Sequence, residues 1–260
     1  MTQFADTASG IRLAYETAGR GNPPIVFVHG WSCDRTYFAP QFTHFATHHA
    51  VVTLDLRGHG ESTGPDPGLH AYDVDAFADD VLAVVDASGI DRPVVVGHSL
   101  GALVAIECAA REGATRAAVA VDPAPILEGR GKEHFAQRTA AVAADQDGTW
   151  RAAYVEGLLL PTDTVRRADT VARMAAVPAA VAAASWRAIA TFDGTAALGR
   201  VRVPLLVIGS GRVERGLRDA CPGITIGMTV GAGHFNQLEV PDQVNPMIER
   251  FLAVNDLRAG

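Results

Sequence analysis

Cysteine and lysine are scarce in this 260-residue sequence, and each scarcity argues against a class of chemistry. The three cysteines, Cys33, Cys108 and Cys221, are odd in number and far apart, so they suit neither a disulfide framework nor a metal site. Lys132 is the single lysine, so Schiff-base chemistry and a pyridoxal-type cofactor would depend on that one residue. We therefore expect neither a metal nor an organic cofactor.

Basic clusters and long apolar runs are also missing. The net charge is −7 and charged residues are spread along the chain, so no basic stripe is available for nucleic acid or an anionic membrane surface. The N-terminal segment has no basic stretch followed by an apolar run, and no stretch is long enough to span a bilayer. These absences predict a soluble, cytoplasmic protein that acts on a small molecule, and they leave monomer and homo-oligomer open.

Hydrophobic residues make up 48% of the chain, which is enough for the core of one large domain. Short runs rich in Val, Ile and Leu alternate with helix-length segments such as 73–88 and 101–111. Such runs are typical of strands buried on both faces, as in a parallel sheet. The alternation predicts an α/β fold with an open, mostly parallel sheet flanked by helices. The predicted strands are 25–28, 51–54, 94–96, 117–121 and 205–208.

From residue 126 to residue 198 the strand pattern stops and an alanine-rich, helix-favouring stretch follows. Glycine and proline residues divide this stretch, which predicts three or four helices inserted as a cap between sheet strands. The core would then comprise residues 1–125 and 199–260. Aromatic residues of the cap either line a substrate pocket or only pack the cap onto the sheet. The pocket candidates among them are Trp150, Tyr154 and Trp186.

One short motif carries the strongest chemical signal. Gly97-His98-Ser99-Leu100-Gly101 has the G-x-S-x-G pattern, and it stands directly after a predicted strand and directly before a predicted helix. In that context the serine lies on a sharp turn that lifts its hydroxyl above the sheet, and the glycines let the turn pack closely. We therefore predict that Ser99 is a catalytic nucleophile.

A serine hydroxyl is a poor nucleophile until a base takes its proton, so a histidine must lie close to it in the fold. His234 is the candidate, because it lies in a glycine-rich loop between a strand-like segment at 224–230 and a helix predicted over Pro241–Val254. Loops at the carboxyl end of a strand are where such folds place catalytic groups. The neighbouring Phe235 is a further candidate for the substrate pocket.

Four blocks of the sequence, in order along nearly the whole chain, resemble the α/β-hydrolase superfamily. The blocks are Val28-His29-Gly30-Trp31, Asp55-Leu56-Arg57-Gly58-His59-Gly60-Glu61-Ser62, Gly97-His98-Ser99-Leu100-Gly101 and Gly233-His234-Phe235. The resemblance implies that fold, a triad of serine, histidine and acid, and an oxyanion hole formed by the backbone N–H groups of Trp31 and Leu100. It also implies that His29 and His98 hold loops through hydrogen bonds.

The triad acid departs from the pattern of that superfamily. Most members place it shortly after the strand predicted at 205–208, where this chain reads Gly209-Ser210-Gly211-Arg212. Asp122 ends the preceding strand, where a minority of the superfamily places its acid. Some lactone hydrolases and the cofactor-independent ring-cleaving dioxygenases resemble this arrangement. Because triad geometry matters more than sequence position, we predict Asp122 as the acid and keep Glu214 as the alternative. A strand-ending aspartate can also do no more than cap the following turn.

These residues favour a serine hydrolase that cleaves a small to medium, mostly apolar carboxylic ester or lactone through an acyl-enzyme on Ser99. Three alternatives stay open: a carbon–carbon bond hydrolase of aromatic degradation, a cofactor-free dioxygenase, and an inactive protein that binds a small molecule. The dioxygenases that the sequence resembles carry a further histidine shortly after the tryptophan, where this chain has Ser32 and Cys33.

Overall fold

The computed structural model describes residues 1–66, 71–211 and 213–257, and an eight-stranded sheet lies at its centre. The strands are Gln3–Asp6 (β1), Arg12–Ala18 (β2), Ile25–Val28 (β3), Val51–Leu54 (β4), Val94–His98 (β5), Ala117–Val121 (β6), Leu205–Gly209 (β7) and Thr225–Met228 (β8). Their order across the sheet is β1-β2-β4-β3-β5-β6-β7-β8. β2 pairs antiparallel with β1 and β4, and all the other pairs are parallel. The predicted fold class is confirmed.

Helices flank the sheet and also form a long insertion after β6. The helices are Ala39–Phe45 (α1), Val74–Ser88 (α2), Leu100–Ala110 (α3), Arg130–Ala144 (α4), Thr149–Glu156 (α5), Arg167–Ala176 (α6), Ala179–Thr191 (α7), Gly194–Arg200 (α8), Leu217–Ala220 (α9), Asn236–Glu239 (α10) and Pro241–Val254 (α11). A short 3-10 helix, Arg35–Phe38, precedes α1. α2 begins after Asp73, whose carboxylate accepts the N–H of Ala76 and so satisfies a free donor of the first turn.

The central strands are buried on both faces because helices cover both sides of the sheet. Successive side chains of a strand point to opposite faces. In β3, Ile25 and Phe27 join an apolar cluster with α1 and α11, whereas Val26 and Val28 join the cluster that contains α2 and α3. The N-terminal strands β1 and β2 were missed by the sequence reasoning, since many of their residues are exposed and no apolar run marks them.

Helices α4 to α7, called the cap helices below, connect β6 to α8. α4 packs against α7 and α5 packs against α6, while α8 packs against α3 of the core. The predicted boundary between residues 198 and 199 therefore falls inside α8, where Ala197 and Leu198 are buried. Residues 126–198 contain the four helices α4 to α7, in line with the predicted three or four, and also the start of the short α8, which follows α7 after a break at Asp193. The division into core and cap stays a prediction.

No single helix in the described ranges is both long enough and apolar enough to cross a membrane. Helices α6 and α7 reach that length and composition only when taken together, and they meet at a bend of 98°.

A buried ion pair holds the loop after β4 against α2. Arg57 Nε and one of its terminal nitrogens each donate to an oxygen of Asp80, and both distances are 2.7 Å. The guanidinium also donates to the carbonyls of Ala71 and Ala76, at 2.9 Å each. Asp80 is fully buried and Arg57 is 6% exposed. The pair therefore ties three segments together within the core, where an unpaired charge would be costly.

Replacing Asp80 with alanine should lower the free energy of unfolding by about 3–5 kcal/mol, because it leaves the Arg57 guanidinium buried without its counter-charge. Urea unfolding monitored by circular dichroism measures the change. The matched control is Asp91→Ala, which removes the partner of Arg92 in an exposed ion pair and should cost less than about 1 kcal/mol. Equal losses in the two variants would contradict the structural role of the buried pair.

Candidate active site

Ser99 lies on the tight turn between β5 and α3, in a backbone conformation that few residues other than glycine adopt. Its φ is 54° and its ψ is −113°. The glycines on either side permit this turn: a Cβ on Gly97 would lie 1.8 Å from the carbonyl oxygen of Gly101. A Cβ on Gly101 would lie 2.2 Å from the carbonyl oxygen of Val28, in the neighbouring strand β3. The motif thus places the Ser99 side chain at the carboxyl edge of the sheet.

Asp122 and His234 meet beside this turn, although they lie 112 positions apart in the sequence. Asp122 directly follows β6, and His234 lies between β8 and α10. His234 Nδ1 and Asp122 Oδ2 are 2.7 Å apart, and the backbone N–H of Ser210 donates to the other carboxylate oxygen at 2.8 Å. The carboxylate thus accepts from two donors, and the imidazole is oriented with Nε2 free for other contacts.

The charge state of Asp122 follows from these contacts. Burial raises the pKa of its carboxyl group, but the hydrogen bonds from His234 and Ser210 and the charge of His234 outweigh it and hold the pKa below its ordinary value. Asp122 is therefore ionised at neutral pH, and its hydrogen bond with His234 is charge-assisted.

Glu214, the alternative acid, lies elsewhere. Its carboxylate accepts the backbone N–H of Ile126 at 3.0 Å and that of Leu127 at 3.2 Å, where the chain leaves β6 toward the cap helices. Ser210, in the stretch where most of the superfamily carries the acid, donates its N–H to Asp122. Arg212, which stands in the same stretch where most of the superfamily carries the acid, lies outside the described residues.

His29 and His98 hold loops around Ser99 through hydrogen bonds. His98 Nε2 donates to the backbone carbonyl of His234 at 2.8 Å, and the two rings are 4.7 Å apart. His29 Nδ1 donates to the Gly30 carbonyl at 2.8 Å, and its Nε2 accepts the N–H of Leu56 at 3.0 Å. Burial is the main cause that lowers the pKa of His29 to about 4 and that of His98 to about 3, so both are neutral at physiological pH.

Trp31 and Leu100 carry the backbone N–H groups predicted for the oxyanion hole. Leu100 is the first residue of α3, so its N–H has no acceptor within the helix. Among the described residues, no backbone carbonyl pairs with the N–H of either residue. The Trp31 indole donates to the Ala182 carbonyl at 2.8 Å and packs edge-on against Trp186, which holds this loop against α7.

Ser99, His98 and His234 face one cavity of about 180 Å³ whose other walls are mainly apolar. Of the predicted pocket residues, Tyr154, Trp186 and Phe235 line this cavity, and the Trp31 side chain lines it as well. The expectation for Trp150 was wrong. Trp150 does not line the cavity, because its ring stacks against Tyr154 at 5.2 Å.

Several lining residues were missed by the sequence reasoning. Pro123, Ala124 and Pro125 follow the predicted acid directly, and that position could have pointed to them. The other missed residues lie on the cap helices or in the loops, where apolar side chains face either the cavity or the core with no signal in the sequence. They are Phe135, Leu158, Met174 and Ile189.

A model of the Alpha/beta hydrolase family matches residues 25–247 of the chain. The AB hydrolase superfamily protein YisY from Bacillus subtilis (strain 168) is 35% identical over 116 residues, which are 44% of this chain and 42% of that protein. The chain spans less than half the length of the curated relatives it matches.

Solved structures agree in fold over almost the whole chain. The enol-lactonase from Burkholderia xenovorans LB400 has a TM-score of 0.84 at 24% identity, covering 96% of this chain and 100% of that one. Est816, described as an N-acyl homoserine lactone degrading enzyme, has a TM-score of 0.80 at 25% identity, covering 96% and 100%. With the family match over most of its length, this chain belongs to the Alpha/beta hydrolase family.

Proposed function

We propose that the protein is a serine hydrolase that cleaves a small, mostly apolar carboxylic ester or lactone. One observation carries this proposal: His234 is hydrogen bonded to the ionised Asp122 at 2.7 Å and shares a cavity with Ser99 on its strained turn. A nucleophile, a base and a group that orients the base form the arrangement that acyl transfer requires.

The proposed reaction has two halves. In the first, His234 Nε2 takes the proton of the Ser99 hydroxyl while Oγ attacks the substrate carbonyl carbon, and the N–H groups of Trp31 and Leu100 stabilise the developing oxyanion. The proton then passes to the leaving alcohol oxygen, and the acyl group stays on Ser99. In the second half, His234 deprotonates a water molecule that attacks the acyl-enzyme, so that the acid is released and Ser99 regains its proton.

Asp122 holds the imidazole in the tautomer that this mechanism needs. Its carboxylate accepts a hydrogen bond from the Nδ1–H of His234, which leaves Nε2 unprotonated and able to act as the base. The hydrogen bond from His98 to the His234 carbonyl fixes the backbone of the same loop. With two attachments, one to the ring and one to the backbone, His234 has little freedom to turn away from Ser99.

The chemistry of the cavity wall supports an uncharged, apolar acyl group. Aromatic and aliphatic side chains dominate the wall, and no lysine or arginine is among the described residues that line it. Its volume of about 180 Å³ is close to that of a protein cavity that takes up benzene, roughly 150 Å³. Both features favour a compact acyl group over a long chain or a dicarboxylate.

A lactone is supported by the likeness to Est816, which degrades N-acyl homoserine lactones. In a lactone the leaving alcohol remains attached to the acyl group, so the same residues perform the same steps. The three cysteines are buried free thiols, which supports a reducing compartment such as the cytoplasm for this activity.

A small fluorophosphonate should label the protein once, because an activated serine attacks phosphorus as it attacks a carbonyl carbon. Intact-mass spectrometry measures the adduct. The label should be absent in Ser99→Ala, and in His234→Ala its rate should fall by at least about 10³-fold. A folded parent that takes no label would contradict the proposal, as would a label that persists in Ser99→Ala.

Asp122→Asn should lower kcat for 4-nitrophenyl acetate by about 10³–10⁴-fold, because the amide no longer stabilises the protonated imidazole and favours the wrong tautomer. Glu214→Gln is the matched control and should change kcat by less than about threefold, since its amide oxygen can still accept a backbone N–H. Urea unfolding of both variants checks that the fold is intact. If the two variants lost activity equally, Asp122 would not be the acid.

A further inference from the structure

Two cavities share one wall, called the partition below, between the core and the cap helices. The inner cavity, with Ser99, has a volume of about 180 Å³, and the outer one has about 570 Å³. Cys33 lines both of them. On α6, Met174 lines the inner cavity and the preceding residue, Arg173, lines the outer one. The partition therefore consists of the loop after β3 on one side and α6 on the other.

An ion pair joins the two sides of this partition. Arg173 of α6 donates to the carboxylate of Asp34, the residue after Cys33, and to the hydroxyl of Thr36 at 2.9 Å. Its guanidinium also lies 5.5 Å from the centre of the Tyr37 ring. Through these contacts, Arg173 ties α6 to the loop after β3 on the side of the partition that faces the outer cavity.

The ion pair is exposed enough to open. The Arg173 side chain is 40% exposed and the Asp34 side chain is 20% exposed. A surface pair of this kind shifts an equilibrium by about fivefold at most. Burial raises the pKa of Asp34, but the Thr36 hydrogen bonds and the charge of Arg173 lower it overall, so the carboxylate is charged at neutral pH.

Two of the cap helices, α4 and α7, are held by buried contacts. Trp31 donates to the Ala182 carbonyl of α7 at 2.8 Å. Lys132 of α4, which is 3% exposed, donates to the Ile189 carbonyl at 3.1 Å and to the Phe192 carbonyl, so it ties α4 to the end of α7. Because α4 and α7 are fixed in this way, separation of the partition involves α6 and its neighbour α5.

We infer that the Asp34–Arg173 ion pair limits the size of the acyl group that reaches Ser99. While the pair is closed, the inner cavity admits compact acyl groups. When it opens, α6 and the loop after β3 separate at Cys33 and Met174, the two cavities join, and longer groups are admitted. This inference rests on the proposed function, since it concerns access to the Ser99 hydroxyl.

The test compares 4-nitrophenyl decanoate with 4-nitrophenyl acetate in Asp34→Asn and Arg173→Gln. Asparagine keeps an oxygen that can accept the Thr36 N–H, so the 3-10 helix keeps its N-cap while the charge is lost. In both variants the ratio of kcat/KM for decanoate to that for acetate should rise by about fivefold, through faster turnover of decanoate alone. The reversed pair, Asp34→Arg with Arg173→Asp, should bring the ratio back toward the parent value.

Asp169→Asn is the matched control. Asp169 also pairs with Arg173, at 3.5 Å, but it lies on the same helix, so its loss leaves the partition bridged and the ratio unchanged. An unchanged ratio in both Asp34→Asn and Arg173→Gln would overturn the inference. So would an equal rise in Asp169→Asn.

Labelling by a short-chain and a long-chain fluorophosphonate separates this inference from the proposed function. Suppose that the short probe labels the parent, but the long probe labels Asp34→Asn and Arg173→Gln no faster than it labels the parent. The inference about acyl-group size then fails, and the proposed serine hydrolase activity stands. If the short probe fails to label the folded parent at all, the proposed function fails and the inference fails with it.

Discussion

The close approach of three backbone segments behind Ser99 is the constraint on which the rest of the site depends. The chain can turn from β5 into α3 only because Gly97 and Gly101 have no side chains, and Gly101 also lies directly against β3. The turn forces Ser99 to a φ of 54° and leaves the Leu100 N–H without an intrahelical partner. Strain of this kind persists because the buried strands and α3 around it cannot relax without losing their packing.

Asp122, the acid that we propose, lies after β6 rather than β7, and the sheet explains why either position can serve. β6 and β7 are adjacent parallel strands, so residues that follow them lie at the same edge of the sheet. In this chain the segment after β7 supplies a donor, the Ser210 N–H, to the carboxylate that follows β6. The end of β6 thus carries the charged side chain, and the end of β7 stabilises that charge through a backbone hydrogen bond.

The central strands and the nucleophile motif could be predicted from the sequence because each depends on local patterns. Strands such as β3 and β6 are buried on both faces and read as apolar runs, and Ser99 is marked by its flanking glycines. Which of Trp150 and Tyr154 lines the cavity could not be predicted from the sequence. The two rings stack in parallel at 5.2 Å on α5, and only the packing against Trp186 decides which of them faces the cavity. That packing depends on contacts between segments far apart in the sequence.

Trp31 links the predicted oxyanion hole to the cap helices, and this link has a consequence for any motion of the cap. Its backbone N–H is one of the two donors that we propose for the oxyanion, while its indole is bound to α7 through the Ala182 carbonyl and packed against Trp186. If α7 moved away from the core, this proposed donor would lose its support. A path to Ser99 that leaves the predicted oxyanion hole undisturbed therefore requires movement of helices other than α7. Helix α6 meets that requirement, because it is joined to the loop after β3 through Arg173, whose ion pair with Asp34 is partly exposed.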